Sequence, residues 1–191
     1  SLLEEIHILS DLTDISSYCF LECRSLINIE IPKTVKTIQQ NAFEGCLLLE
    51  YIHIPESTHY IGPAAFYNCS SLKEINIPLN VEQIRHDTFN KCSSLNAIDI
   101  HNSIKSIGKK AFNKCSSLKN ICIPSSVLSI DELAFNKCIS ALYLKINSPN
   151  IIVGDAAFKG CSSLEKIRVP TYLFTMQKQN RIFKYYYEIE K

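Results

Sequence analysis

The chain has 191 residues, of which 46% are hydrophobic, and its formal net charge is +1. This near-neutral balance argues against nucleic acid as a partner, because nucleic-acid binders usually carry a clear basic excess. No run approaches the roughly 18 apolar residues of a membrane span. The N-terminal segment SLLEEIHILSD lacks the basic start and long apolar core of a secretory signal. Since residue 1 is Ser rather than Met, as in a processed or trimmed chain, the missing signal does not decide the compartment.

Phenylalanine and cysteine recur together every 23 residues. The repeating phenylalanines are Phe20, Phe43, Phe66, Phe89, Phe112, Phe135 and Phe158, and each has a cysteine three residues later. A period of roughly 20 to 29 residues that is rich in Leu and Ile predicts a solenoid. Each repeat forms one coil, which is too thin to bury its own apolar face and must stack on its neighbours. We expect the phenylalanines to form a central stack and the cysteines to occupy a tight inward corner.

An alternating I-x-I segment in each repeat predicts a short strand with one buried face. Eight strands are expected, at residues 5–8, 28–31, 51–54, 74–77, 97–100, 120–123, 143–146 and 166–169. Stacked coils would pair these strands in parallel about 4.8 Å apart. The proline that follows most of them cannot donate to the ladder and ends the strand. The return path, V-x-x-I-x-x-x-A-F, predicts an extended turn and then a tight helical turn that ends at the cysteine.

The glycines also follow the period. Gly62, Gly108 and Gly154 stand four residues before the phenylalanine, in a column that also holds Asp131. Because Gly and Asp tolerate the left-handed region better than most residues, this column predicts a turn with positive φ. The glycines do not form a phosphate-binding pattern such as G-x-G-x-x-G.

The repeat unit C-x-x-L-x-x-I-x-I-P-x-x-V-x-x-I-x-x-x-A-F-x-x-C resembles the Treponema-type, or BspA-like, leucine-rich repeat. The resemblance covers about residues 3 to 170. It implies an α/β repeat solenoid: a right-handed leucine-rich-repeat coil with a parallel sheet of about eight short strands on its concave face. It also implies a protein of bacteria or parasitic protists, often at the cell surface, that binds other proteins, including host matrix and plasma proteins.

The repeat pattern breaks near the C-terminus, where Arg181 stands at the position of the next phenylalanine. We therefore expect two parts: residues 1–177 as the solenoid, with a partial N-terminal coil and seven repeats, and residues 178–191 as a C-terminal tail. The tail is interpreted as a helical cap in which Ile182, Phe183 and Tyr186 or Tyr187 cover the last coil. The alternative is a linker toward a further segment.

The cysteine column is the most obvious candidate for chemistry. Structural zinc needs four converging ligands, usually from C-x-x-C pairs, and the sequence contains no C-x-x-C. Thiols on stacked coils point the same way, so disulfides between neighbouring coils are unfavourable. We expect buried free thiols and neither a metal nor a cofactor. Cys122 lies outside the column and should point outward.

No arrangement in the sequence points clearly to catalysis. The CSS serines, at Ser70, Ser93, Ser116 and Ser162, recur with the period and are interpreted as turn residues that hydrogen-bond nearby backbone. No nucleophile stands apart with a base beside it, so an enzyme is not expected. Asn68 heads a formal glycosylation sequon, although this sequon coincides with the repeat turn.

The outward side of the I-x-I strands, which we call the front face, is the candidate binding site. Alternation points three residues per coil outward: those before, between and after the two isoleucines. The candidate site residues are Glu30, Tyr51, His53, Glu74, Asp99, His101, Tyr143, Lys145, Lys166 and Arg168. Acidic residues occupy the first five coils and basic residues the last two, a polarity that would orient a partner. Tyrosines are frequent binding anchors. The alternative is a solvated surface whose charges prevent association.

A basic column, Lys91, Lys114 and Lys137 with Lys109 and Lys110 beside it, follows the other side of the coils. It suits an acidic partner or membrane surface, but copying of the FNKC unit explains it equally well. Taken together, the sequence predicts a monomeric, non-enzymatic protein-binding module. The family resemblance implies cell-surface adhesion or recognition of a host protein at the surface or in secreted form. The alternatives are a structural spacer within a longer protein and, because free thiols suit a reducing compartment, a cytoplasmic location.

Overall fold

The structure is a computed structural model that describes residues 4–8, 11–170 and 173. It is a solenoid whose coils repeat every 23 residues and begin at residues 4, 27, 50, 73, 96, 119, 142 and 165, numbered here coils 1 to 8. Two series of short parallel strands run along it. The front ladder contains β1 (Glu5–His7), β3 (Asn28–Glu30), β5 (Tyr51–Ile52), β7 (Glu74–Ile75), β10 (Asn120–Ile123), β12 (Tyr143–Ile146) and β14 (Lys166–Arg168). The side ladder contains β2 (Asp14–Ile15), β4 (Thr37–Ile38), β6 (Tyr60–Ile61), β8 (Gln83–Ile84), β9 (Ser106–Ile107), β11 (Ser129–Ile130) and β13 (Ile152–Val153).

The register of both ladders follows the sequence repeat. Ile6 pairs with Ile29, Ile121 pairs with Leu144, and Ile107 pairs with Ile130. Neither ladder is continuous. The front ladder divides into β1–β3, β5–β7 and β10–β12–β14, and the side ladder divides between β6 and β8. The parallel-strand solenoid predicted from the period is therefore confirmed, with breaks that the period does not indicate.

The predicted front strand at residues 97–100 is not formed, which leaves seven front strands in the described part of the chain. Ile100 still packs into the core, and Ala97 and Asp99 still point outward. Alanine and aspartate are depleted in strands, because neither packs well on a pleated surface. In coil 5 the inward isoleucines hold the chain in place without strand pairing.

The return half of each coil lies between the side-ladder strand and the cysteine. It forms turns and not the helical turn that the sequence predicted. The residues two before and two after the phenylalanine have positive φ, as at Asn41 (56°) and Gly45 (73°). Between them, Phe43 N–H donates forward to the carbonyl of Ala65 in the next coil at 2.8 Å. Backbone N–H groups of this segment that point toward the next coil alternate with those that do not. The return half is therefore a third side of the solenoid on which hydrogen bonds join neighbouring coils. Among the described residues only Leu173 is helical, so the α component of the expected α/β fold is minor.

The glycine column four residues before the phenylalanine has a different cause from the one predicted. The positive-φ glycines are Gly45 and Gly160, and the column glycines are not among them. A Cβ on Gly62 would lie 2.6 Å from the backbone nitrogen of Gln40 in the preceding coil. Glycine is needed at these positions because the backbones of neighbouring coils approach closely. The prediction of a positive-φ turn at this column is therefore wrong.

The core consists of the repeating columns. The phenylalanine rings stack from coil to coil with centroids 5.0–5.7 Å apart and nearly parallel planes, which confirms the predicted stack. Each buried cysteine thiol donates to the carbonyl of the phenylalanine one coil back, as Cys69 Sγ does to Phe43 O at 3.1 Å. The same carbonyl accepts the backbone N–H of Cys46 at 3.2 Å. The two columns therefore form one hydrogen-bonded unit, which accounts for their fixed separation.

The predicted tail, residues 178–191 with Ile182, Phe183, Tyr186 and Tyr187, lies outside the described residues. Leu173 is buried, at 5% exposure, after the last front strand. The division into 1–177 and 178–191 stays a prediction.

Candidate protein-binding face

The front face carries outward side chains because its strands bury alternate residues. In β10 the pattern is exposed, buried, exposed, buried, so that Asn120 and Cys122 point outward while Ile121 and Ile123 fill the core. This confirms the predicted outward position of Cys122. Cross-strand neighbours lie on adjacent coils about 4.8 Å apart. The face is therefore a grid whose columns are set by the repeat.

The C-terminal end of the front face is continuous and basic. Strands β10, β12 and β14 form a three-stranded sheet. Its register pairs Tyr143 with Lys166, and Lys145 with Cys122 on one side and Arg168 on the other. Lys166 and Arg168 are exposed, whereas Tyr143 and Lys145 are half-buried. Four of the predicted site residues therefore form a single cluster.

The N-terminal end of the front face is acidic and contains a surface depression. This open depression of about 800 Å³ lies beside the break between β3 and β5. Its lining includes Glu30, His53, Glu56 and the apolar edges of Ile29 and Ile31. A smaller depression of about 280 Å³ adjoins it and includes Glu5, Asn28 and Tyr51. The predicted residues Glu30, Tyr51 and His53 therefore lie together, roughly 20 Å from the basic cluster at one strand spacing per coil.

In the middle of the front face, fewer of the predicted site residues are exposed than the sequence suggested. Glu74 and Asp99 are exposed, but His101 is half-buried. Its Nε2 lies 3.1 Å from the carbonyl of Pro78, and its Nδ1 accepts the backbone N–H of Ser103 at 3.2 Å. His101 thus links coil 4 to coil 5 at the position where other coils carry proline.

The predicted third outward position, after the second isoleucine, is wrong in two coils. Pro55 and Pro78 are buried, and Pro32, Pro124 and Pro170 are half-buried. The chain turns toward the side ladder at this point, so that the rings of Pro55 and Pro78 do not face solvent. The outward grid therefore has two main columns rather than three.

Asn76 is a residue of this face whose role the sequence did not reveal. Its Nδ2 donates to the carbonyl of Ile54 at 2.7 Å, and its Oδ1 accepts the N–H of Ile54 at 2.8 Å. The strands β5 and β7 end at Ile52 and Ile75. Beyond them, the side-chain amide replaces backbone pairing between coils 3 and 4. An asparagine in a strand position, where it is usually depleted, was the available signal.

The repeating thiols and serines are occupied by structural contacts. Burial raises the pKa of Cys92 from 9.0 to about 12 and holds the pKa of Cys69 and Cys115 well above the usual range. A thiol that stays protonated is a poor nucleophile and a poor metal ligand. Ser93 Oγ donates to the carbonyl of Ser70 at 3.2 Å, and Ser116 Oγ donates to that of Ser93 at 3.1 Å. The serines bond to the preceding coil rather than within their own turn.

Two absences limit the chemistry of residues 4–8, 11–170 and 173. No group of three or more His, Cys, Asp and Glu side chains in this part of the chain is arranged to hold a metal ion. No helix within it has the length and apolar character needed to cross a membrane. The chemistry available on the described front face is therefore that of carboxylates, amides, ammonium and guanidinium groups, imidazoles, tyrosine hydroxyls and the Cys122 thiol.

The 23-residue repeat matches a known family of repeat proteins. The profile of the BspA type leucine rich repeat region matches the chain in 6 copies, over residues 1–106 and 82–191. The chain belongs to the BspA-type leucine-rich repeat family. This family generally comprises protein-interaction or surface repeat proteins, and its solenoid fold is typically non-enzymatic. No curated protein matches the chain significantly.

Solved structures of bacterial leucine-rich repeat proteins share the fold. A Treponema pallidum protein matches with a TM-score of 0.77 at 31% identity, over 88% of this chain and 76% of that protein. A Eubacterium ventriosum protein matches with a TM-score of 0.72 at 27% identity, over 84% of this chain and 43% of that protein. A Bacteroides ovatus protein matches with a TM-score of 0.60 at 26% identity, over 86% of this chain and 54% of that protein. This BspA-type solenoid therefore spans about half the length of two of these relatives.

Proposed function

We propose that this BspA-type solenoid is a protein-binding module that recognises its partner through the front face. The basic cluster of Tyr143, Lys145, Lys166 and Arg168 contacts an acidic patch of the partner. The acidic depression around Glu30 and His53 receives a basic or polar segment. The observation that carries the proposal is the separation of charge along one face of a chain whose net charge is only +1. A face that was merely solvated would need no such order.

The basic cluster suits the role of a binding platform. Its three strands are paired along their length, so the side chains are held by a continuous sheet instead of a loop. Tyr143 supplies a large, rigid contact area at low entropic cost, which is why tyrosine is enriched among residues that dominate binding energy. Complementary charge then accelerates encounter and selects the orientation of the partner.

We propose further that the module acts at the cell surface or after secretion, on a host matrix or plasma protein. Membership of a family that generally contains surface repeat proteins supports this location. Six of the nine free thiols, those of the ladder from Cys46 to Cys161, are compatible with it because they are buried and hydrogen-bonded and so are protected from oxidants. In contrast, Cys19 and Cys122 are exposed and Cys23 is half-buried.

A second candidate function is a structural spacer. The observation that favours it is that the chain corresponds to 54% and 43% of the Bacteroides ovatus and Eubacterium ventriosum proteins. A solenoid of this length can hold other modules apart within a longer polypeptide. In that case the front face would have no partner, and its charges would only keep it solvated.

A charge-reversal experiment distinguishes the two functions. The variant Lys145→Glu/Lys166→Glu/Arg168→Glu is compared with wild type for binding to a panel of purified matrix and plasma proteins at two salt concentrations. We expect at least a tenfold loss of affinity for the partner and a salt dependence that weakens in the variant.

The matched control is Arg24→Glu/Lys36→Glu/Lys105→Glu, which changes the net charge equally but lies on the side and return faces. It should bind as wild type does. Equal loss in both variants would contradict a front-face site, and no binding by the wild type to any panel member would favour the spacer. Circular dichroism and urea unfolding establish that each variant is folded.

A further inference from the structure

The return half of coils 4 to 7 presents a line of lysines on the surface. The strip consists of Lys91, Lys114, Lys137 and Lys159, which we call the lysine strip. The first three stand two residues after the phenylalanine, and Lys159 stands one residue after it. Lys114, Lys137 and Lys159 are exposed, and Lys91 is half-buried with its Nζ 4.8 Å from the ring centre of Tyr67. The strip lies on a different side of the solenoid from the front face.

The backbone of this column disfavours lysine. Lys91, Lys114 and Lys137 have φ of 66°, 63° and 61°. The same column holds Glu22 (56°) and also Gly45, Asn68 and Gly160, which are residue types that tolerate the left-handed region with less strain. A lysine in this conformation gives the fold no hydrogen bond that Asn or Gly would lack. The positive φ itself comes from the backbone hydrogen bonds to the next coil, so the fold does not require lysine in this column, and the run of three lysines is a reason to look for function.

Copying of the FNKC unit does not by itself explain the lysine, because the other three residues have structural roles. Phenylalanine forms the central stack, and cysteine donates its thiol to the preceding coil. Asparagine forms its own ladder, in which Asn113 Nδ2 donates to Asn90 Oδ1 at 2.9 Å and Asn136 Nδ2 donates to Asn113 Oδ1 at 2.7 Å. Lysine alone extends from the unit into solvent.

The surroundings of the strip leave its charge uncompensated. In coils 4 to 7 the segments from the phenylalanine to the next inward column read FNKCSSL, FNKCSSL, FNKCISA and FKGCSSL, none of which contains a carboxylate. The nearby pair of Lys109 and Glu132, 2.7 Å apart, lies on the opposite side of the phenylalanine column. The strip is thus a narrow cationic band bordered by serine and asparagine.

The spacing of the strip matches a linear polyanion better than a single anion. The phenylalanine rings of coils 4 to 6 are 5.0–5.4 Å apart, so the stems of Lys91, Lys114 and Lys137 rise from the backbone at about that interval along a line, with Lys159 one column to the side. Lysine is a flexible point charge without the planar fork that arginine offers to a phosphate or carboxylate. Such a row follows a chain that carries a charge on every unit and needs no bidentate contact.

We propose that the lysine strip binds a sulfated polysaccharide. Sulfate and carboxylate groups recur along such a chain at every sugar, at intervals comparable with one coil. Lysine-rich segments are a known form of heparin patch. Nucleic acid fits less well, because the chain has no basic excess and the strip has no series of aromatic rings on which bases could stack. This interaction is independent of the protein partner proposed for the front face.

The test uses a heparin oligosaccharide as the probe and asparagine as the replacement. Asparagine removes the charge and already occupies this column at Asn68 with φ of 58°, so the variant Lys91→Asn/Lys114→Asn/Lys137→Asn should keep or raise the melting temperature. We expect it to lose at least tenfold in heparin affinity by calorimetry and to elute from immobilised heparin at lower salt. Desulfated heparin should not bind the wild type.

The control variant Lys36→Asn/Lys105→Asn/Lys119→Asn removes the same charge from other exposed positions and should stay within twofold of wild type. Equal losses in both variants, or full affinity in the strip variant, would overturn the proposal. A single-stranded oligonucleotide and phosphatidylserine vesicles are measured in parallel. If either binds more tightly than heparin and is lost by the strip variant, the strip belongs to that ligand class and the polysaccharide assignment is wrong. The single variant Lys114→Asn repeats the measurement if the triple variant does not fold.

Discussion

The two ends of the front face are made from the same repeat and yet differ in structure and charge. In coils 6 to 8, strands β10, β12 and β14 form one uninterrupted basic sheet. In coils 1 to 3, the pairing stops between β3 and β5, and the gap adjoins an acidic depression. Both ends bury the same isoleucine and leucine columns. The difference therefore comes from the outward residues and from how neighbouring coils meet.

This difference separates two roles within the repeat. The inward columns fix the path of each coil, because phenylalanine stacking and the thiol-to-carbonyl bonds recur in nearly every coil whatever lies outside. The outward residues set the charge that each end presents, and strand pairing also differs between the ends. Asn76, which replaces backbone pairing, and the unpaired segment around Asp99 divide the two regions. Coils 4 and 5 are thus the junction at which an acidic, indented surface gives way to a basic, flat one.

Removing the stacked phenylalanine ring at this junction should cause the largest loss of unfolding free energy. Phe89 is almost completely buried and stacks on rings of both neighbouring coils at 5.7 and 5.4 Å, whereas Phe20 is half-buried at the end of the stack. Phe89→Ala should cost about 3–5 kcal/mol of unfolding free energy, since it creates an enclosed cavity. Phe20→Ala should cost clearly less.

Urea unfolding followed by circular dichroism measures both variants. Because stability in a solenoid is carried from coil to coil, Phe89→Ala should also split the transition into two steps, one for each half. Equal losses of unfolding free energy for the two variants would mean that the stabilising effect of a stacked ring does not depend on its position. A single sharp transition for Phe89→Ala would mean that the two halves do not unfold separately.

Asn76 tests whether a side-chain amide takes the place of strand pairing between coils 3 and 4. Asn76→Ala leaves the buried N–H and C=O of Ile54 without their partner, which should cost about 2–3 kcal/mol. The matched control is Asn120→Ala on the same face of β10, where the side chain is exposed and the strand is paired by its backbone. Its cost should stay within about 0.5 kcal/mol. Thermal and urea unfolding measure the two, and similar values would show that the amide of Asn76 is not a structural substitute for pairing.

The parts of the fold that repeat in identity could be predicted from the sequence. The phenylalanine and cysteine columns fix the coil, and I-x-I alternation locates seven front strands and the outward position of Cys122. The return half could not be predicted, because residues such as Ala64 and Leu133 have positive φ and give no sign of it. Their conformation is imposed by hydrogen bonds to the next coil, which a single repeat does not contain.

The candidate site was predictable in composition but not in arrangement. Lys145 and Arg168 could be assigned to one face by counting, and the register brings them together. The engagement of His101 with Pro78, the burial of Pro55 and the depression beside β3 depend on how two coils pack against each other. Such contacts involve residues 22 or 23 apart whose separation is fixed only after the coils have stacked.

A final prediction concerns the thiol ladder, which runs through both halves and should make the protein sensitive to alkali. Burial raises the pKa of Cys92 from 9.0 to about 12. The folded thiol therefore keeps its proton between these values, while the unfolded thiol loses it. The stability that the buried thiol contributes is fully present below about pH 9 and is lost as the pH rises toward 12. Within this range, the unfolding free energy falls by up to about 1.4 kcal/mol per pH unit for each such thiol.

Cys92→Ala isolates the contribution of one thiol. Urea unfolding between pH 8 and pH 10.5 should give a shallower decline in unfolding free energy than wild type, because one linked proton is absent. Lysine and tyrosine titrations are common to both proteins and cancel in the difference between slopes. Cys122→Ala, which removes an exposed thiol from the front face, should follow the wild-type slope. If Cys92→Ala declined as steeply as wild type, the ladder thiols would have to ionise within the folded solenoid, and water would have to reach the column that joins its two halves.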